Sequence, residues 1–201
     1  MPTLAYNARM QAIDMLLKRR SAKTLTDPAP DAGALELLLE CAARAPDHGR
    51  LRPWRFVVIR GAARERLGEL MADLLRRRLP AASAENLERE RQKALRAPLI
   101  VVVAAVCNTE AKIPPVEQLL AAGAAAQNMV LAATALGYGA MWKTGDAAYD
   151  DTLKAALGLA AADAIVGFIY LGTPPADAVP PPARAQWQDR VNDWSGSEPT
   201  A

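Results

Sequence analysis

The stretch Arg44-Ala45-Pro46-Asp47-His48-Gly49-Arg50-Leu51-Arg52-Pro53-Trp54 holds the chain's single histidine among three arginines and a carboxylate. Each proline fixes its own φ and pushes the preceding residue toward extended geometry, so the segment is a bracketed polar loop. Cations and an imidazole on such a loop can wall an anionic ligand site. A second group, Arg19-Arg20-Ser21, follows Lys18 where a first helix should end. Basic residues there complement the helix dipole, and solvated arginines are the plain reading; the sharper one is a phosphate clamp of two forked guanidinium groups and the Ser21 hydroxyl. Spacing leaves both open. A third, Gly137-Tyr138-Gly139-Ala140-Met141-Trp142-Lys143-Thr144-Gly145, follows a helix instead of opening one, so it is no dinucleotide fingerprint. It reads either as a strand after a tight turn with Trp142 packing inward, or as glycines admitting a planar ligand whose phosphate meets Lys143 and Thr144.

Composition narrows the chemistry. With one histidine, two isolated cysteines (Cys41 and Cys107) and no HExxH or Cys/His cluster, metal catalysis and a disulfide framework are both discounted. Unpaired thiols suit a reducing compartment, and Met1 to Asp14 shows no long apolar run behind a basic start, so a cytoplasmic location is expected. A net charge of +2 with scattered basic residues and two Phe is a poor complement for nucleic acid.

The elements that must position these groups follow from periodicity. Met10, Ile13, Leu16 and Leu17 mark a first helix; Asp31 is the expected N-cap of a second with Leu35, Leu38, Leu39 and Ala42 on one face, where Glu40 could pair with Arg44 at i, i+4. Trp54 to Ile59 predicts a buried strand with Trp54 in the core. Gly61 opens a helix that ends in Arg76-Arg77-Arg78, a solvated end, and Ser83 to Arg96 is a polar helix or cover of unreadable role. Leu99 to Val106, apolar on both faces, is the expected central strand. Val116 to Leu136 is long and apolar, but Gln127-Asn128 and the many alanines argue for a buried helix rather than a membrane span. Tyr149 to Leu159 predicts a short helix and Ala164 to Gly172 a further strand. At 201 residues one domain, 1–201, is expected, with about 175–201 a proline-rich extended tail whose Trp187 and Trp194 suit docking on a second subunit.

Taken in order, Arg19-Arg20-Ser21, Arg44-Ala45-Pro46-Asp47-His48 leading to Arg52-Pro53-Trp54, Gly137-Tyr138-Gly139 before Trp142, and the run Ile165 to Pro174 resemble the nitroreductase family. The likeness spans about Arg19 to Pro174 and is nearest to the small branch of NAD(P)H nitroreductases whose loop reads Ala-Pro-Asp-His. Where the broader family has Ala-Pro-Ser and an Asn before Gln-Pro-Trp, this chain has Arg52 before Pro53, which leaves His48 as the branch's substitute. The resemblance implies an α+β fold, a mixed sheet flanked by helices, in a homodimer with FMN at the subunit interface. It implies that Arg19, Arg20 and Ser21 bind the phosphate and ribityl end, that Arg44 and His48 approach from the partner chain, and that Trp142, Lys143 and Thr144 complete the site. His48 is open to two roles, ring contact or loop anchor. No catalytic side chain is implied, because the flavin would carry hydride from NAD(P)H to an electron-poor acceptor such as a nitro compound or quinone. The alternative is a flavin-holding sensor or carrier with little turnover.

Overall fold

The computed structural model describes residues 12–175, 186–194 and 196; Met10 and the segment 176–185 lie outside the described residues. Its centre is a four-stranded sheet in the order β1-β2-β4-β3, formed by β1 (Trp54–Arg60), β2 (Leu99–Ala105), β3 (Gly139–Lys143) and β4 (Ala164–Gly172). All three ladders are antiparallel, and parallel pairing enters through the isolated bridge of Ser21 to Ala140. All seven residues of β2 are buried, as an apolar run in mid-sheet requires. The expectation of a buried strand over 54–59 is corrected. β1 lies at a sheet edge, and Ile59 is its one fully buried side chain.

Helices cover both faces of the sheet. Ile100, Val102 and Ala104 of β2 point toward Leu67 and Met71 of α3 (Ala62–Arg78), against which α4 (Ala84–Lys93) packs. Leu99, Val101 and Val103 point the other way, onto α2 (Ala32–Ala42) and α5 (Pro115–Ala135), as strand alternation demands. Asp31 does cap α2, its Oδ1 accepting from Ala34 N at 2.8 Å. Gly137, at φ 83°, closes α5. None of the described helices is long and apolar enough to cross a membrane.

Two departures from the expected pattern shape the surface. α1 (Ala12–Lys18) buries none of its residues, and Ile13, Leu16 and Leu17 face outward. The arginines that end α3 are ion-paired instead of merely solvated. Arg77 makes a bidentate contact with Asp150 at 2.9 Å to each oxygen, and Arg78 pairs with Asp146. Asp150 also caps α6 (Asp151–Ala156) through Leu153 N, so the end of α3 is pinned to the turn after β3. The Tyr149–Leu159 helix of the sequence reading is correspondingly split into a 3-10 turn, Asp146–Tyr149, and α6.

β4 carries a bulge. Val103 pairs with Gly167 and Ala104 with Ile165, so Val166 is left over. Trp142 Nε1 donates to the bulged Val166 carbonyl at 3.1 Å, and the indole lies so close over Gly167 that a Cβ there would come within 2.1 Å of Nε1. Beside β3 runs the segment after α1. Ala22 N donates to Ala140 O at 3.0 Å, and Thr26 exchanges backbone bonds with Thr173.

The loop between β2 and α5 is held from inside. Gln118, 1% exposed, donates from Nε2 to Asn108 O (3.0 Å) and Ile113 O (2.9 Å), and its Oε1 accepts from Asn108 N (2.8 Å). Gln118→Leu keeps the volume and orphans those backbone groups. Urea unfolding should show a loss of about 1–3 kcal/mol, and no loss would mean that water replaces the amide.

Candidate functional site

Alternation along β3 divides the residues that the sequence placed together. Trp142 turns to the α2/α5 face and covers the bulge, whereas Lys143 turns to the α3/α4 face. There Lys143 and Thr144 line a cleft between the ends of α3 and α4 and strands β3 and β4. Its floor is Phe168 and Tyr170, one wall is Met71, Leu74 and Leu75, and its rim carries Arg78, Glu90, Lys93, Arg96 and Asp146.

The charges of this cleft do not balance. Glu90 is paired with Lys93 and Asp146 with Arg78, and no described acid pairs with Arg96 or Lys143. Burial holds the Lys143 amine below its ordinary value, and the like charges of Arg96, Lys93 and Lys23 push it the same way. Tyr170 is 3% exposed, and no hydrogen bond to its hydroxyl is formed among the described residues. Burial raises this phenol to about 12, with Arg96 pulling in the opposite direction. Two cations without carboxylate partners among the described residues, with the Tyr170 ring beside them, are what an anionic ligand would satisfy. The apolar and aromatic floor suits a flat ring.

Arg19, Arg20 and Ser21 reach this region along the outer edge of β3, with Ser21 alongside Ala140, three residues before Lys143. At roughly 3.3 Å per strand residue this places Ser21 about 10 Å from Lys143 along the strand. The chain then returns past the cleft, Leu25 N donating to Arg96 O at 3.3 Å. Ser21 and Arg20 are exposed and Arg19 is half-buried.

Arg44 and His48 stand elsewhere. Both precede β1, at the far edge of the sheet from β3, and His48 is tied to α5, which covers the opposite face from the cleft. Among the described residues Arg44 makes no ion pair with Glu40. His48 Nδ1 lies 2.7 Å from Glu117 Oε2, in the first turn of α5. The turn that carries His48 is tightly built: Asp47 Oδ2 accepts from Arg52 N at 2.7 Å, while Gly49, Arg50 and Arg52 all adopt positive φ (75°, 54° and 50°). For arginine such backbone is uncommon, and strain of this kind gathers at functional sites. Burial raises the Cys107 thiol, with Asp163 adding to it, so it is not an activated nucleophile.

Sequence reasoning missed Lys23, Lys93, Arg96, Tyr170 and Glu117. Lys93 and Arg96 did carry a signal, two cations at i, i+3 immediately before Pro98, hidden in a helix whose polar residues gave no facing.

The chain as a whole is similar to known proteins. The model of the Nitroreductase family matches residues 16–173. A curated relative from Escherichia coli K12, named "Putative NAD(P)H nitroreductase YdjA", is 40% identical over 166 residues, covering 82% of this chain and 89% of the relative. A nitroreductase-like family protein from Bacillus cereus superposes with a TM-score of 0.79 at 25% identity, over 96% of this chain and 100% of that one. A nitroreductase-type structure from Desulfovibrio desulfuricans, solved in complex with FMN, gives 0.71 at 29% identity, over 91% and 96%.

The lowered Lys143 amine fixes a sign. Between its folded and ordinary values the unfolded chain binds more protons, so its contribution to stability rises as pH climbs through that interval. Lys143→Met should remove this rise from the difference in thermal midpoint between pH 8 and 10. An unchanged difference would place the charge elsewhere.

Proposed function

Because the chain belongs to the nitroreductase family, we propose that it is an FMN-dependent oxidoreductase passing hydride from NAD(P)H to an electron-poor acceptor such as a nitro compound or a quinone. The observation that carries the reading is the cleft of Lys143, Arg96, Lys93 and Tyr170, with its excess positive charge and aromatic floor. These residues fit FMN. When bound, the flavin supplies the two-electron chemistry, taking hydride from the donor and giving it to the acceptor.

The chain's own work is to bind, orient and balance charge. Arg19, Arg20 and Ser21 at the β3 edge hold the phosphate, about 10 Å from the cleft, a spacing that suits the ribityl chain between them. Lys143, Arg96 and Lys93 offset the negative charge that the ring gains on reduction, and Thr144 adds a hydroxyl at the rim. Trp142 serves from the other face, by holding the bulge that sets the end of the sheet.

Arg44 and His48 cannot reach this cleft within one chain, so they serve the cleft of a second protomer in a homodimer. Support comes from adjacent apolar faces left uncovered in one protomer: Ile13, Leu16 and Leu17 on α1, and Val116, Leu119 and Leu120 on α5, against which α1 lies. The whole of 1–201 then acts as one domain, its tail from about 175, with exposed Trp187 and Trp194, packing on the partner.

The test is a spectrum. The purified protein should show oxidised-flavin bands, release FMN by mass, bleach with NAD(P)H under anaerobic conditions and recover on adding a quinone. Flavin that is held but not bleached would leave only a carrier, and a colourless protein that refuses FMN would end the reading. Arg19→Ala should weaken FMN binding by about 1.5–3 kcal/mol, the worth of a charged hydrogen bond; unchanged affinity would put the arginine in solvent.

A further inference from the structure

His48 is the chain's single histidine. It is fixed by unusual means: an Asp47 carboxylate locking its turn, three positive-φ residues within four positions, Gly49 set so close to Ile113 that a Cβ would meet Cγ1 at 3.0 Å, and the Ile113 loop itself held by buried Gln118. The result presents Nδ1 to Glu117 at 2.7 Å, and a ring so engaged has its Nε2 on the side away from α5. A carboxylate on one imidazole nitrogen fixes the tautomer and stabilises the imidazolium, freeing the other nitrogen for proton transfer.

We propose that Glu117 is a positioning residue that holds His48 as the proton donor to the acceptor during its reduction. This rests on the reading above, in which the His48 turn serves the cleft of a second protomer. The reaction needs such a donor. A quinone that gains a hydride, drawn from NAD(P)H, becomes a hydroquinone monoanion and must take one proton at its oxygen. The His48 imidazolium gives up the proton of Nε2 to that oxygen, breaking N–H as O–H forms, and the neutral ring keeps Nδ1–H against Glu117 until water reprotonates Nε2. Other charges on the elements meeting this turn are differently engaged or placed. Asp47 is bonded to its own loop, Arg50 and Arg52 belong to the turn, and Glu110 and Lys112 lie on the loop before α5. Among the described residues, Glu117 is the charged group hydrogen-bonded to the ring.

The single histidine makes the test unambiguous. In the holoprotein at a pH where imidazole is neutral, a two-bond proton–nitrogen correlation spectrum should show the Nδ1–H tautomer; Glu117→Leu should convert it to Nε2–H, and Glu117→Gln, which keeps an acceptor oxygen, should retain it. Stopped-flow work then separates the half-reactions, with FMN content and bleaching by NAD(P)H measured first. Both should be unchanged in the Glu117 variants, while reoxidation by a quinone slows by about tenfold in Glu117→Leu and about a hundredfold in His48→Ala. The double variant should be no slower than His48→Ala alone. An Nε2–H tautomer in the wild type, unchanged reoxidation, or equal slowing of both half-reactions would overturn the proposal. Loss of FMN from the wild type would instead overturn the reading on which it rests, leaving the tautomer as the measure of the pair.

Discussion

A strand buried along its whole length must have its apolar side chains covered on two faces and its backbone bonded on two sides. β2 imposes that demand. The chain meets it with α3 and α4 on one face and α2 and α5 on the other, and with β1 and β4 as neighbours. The two faces thereby become separate environments. Adjacent residues on a strand belong to different ones, so Trp142 stabilises a bulge among hydrocarbon side chains while Lys143 enters a polar cleft.

That partition explains which parts of the molecule could be read from the residues and which could not. β2, the Asp31 cap, the length of α5 and its Gly137 stop were legible because each depends on local chemistry or an unbroken apolar run. Trp142, Lys143 and Thr144 are adjacent in sequence, but the period of two that separates Trp142 from Lys143 acts only once the sheet exists. Arg77 and Arg78 looked solvated because their carboxylate partners, Asp150 and Asp146, lie some seventy positions away. The apolar stripe on α1 was correctly read as helical, yet nothing in its spacing indicates that it faces outward in one protomer. Glu117 was invisible because it matters through a contact with His48, 69 positions away.

The cleft shows what such a site costs the protein that carries it. Cations gathered around a half-buried lysine repel one another and lower its amine, and burial raises the Tyr170 phenol. A sequence selected for stability alone would pair or remove these groups. Their presence together beside β3 and β4 is consistent with the ligand-binding role proposed for the cleft.

The two edges of the sheet differ in a way that bears on assembly. Along β3 the segment from Ser21 to Thr26 lies against the strand, taking the Ala140 carbonyl and covering the edge in part. β1 has no such cover among the described residues, and its exposed arginines, Arg55 and Arg60, border an open row of backbone groups. The chain's own segment thus stands where an added strand would pair with β3, so the two edges are not equivalent and strand addition cannot proceed alike from both.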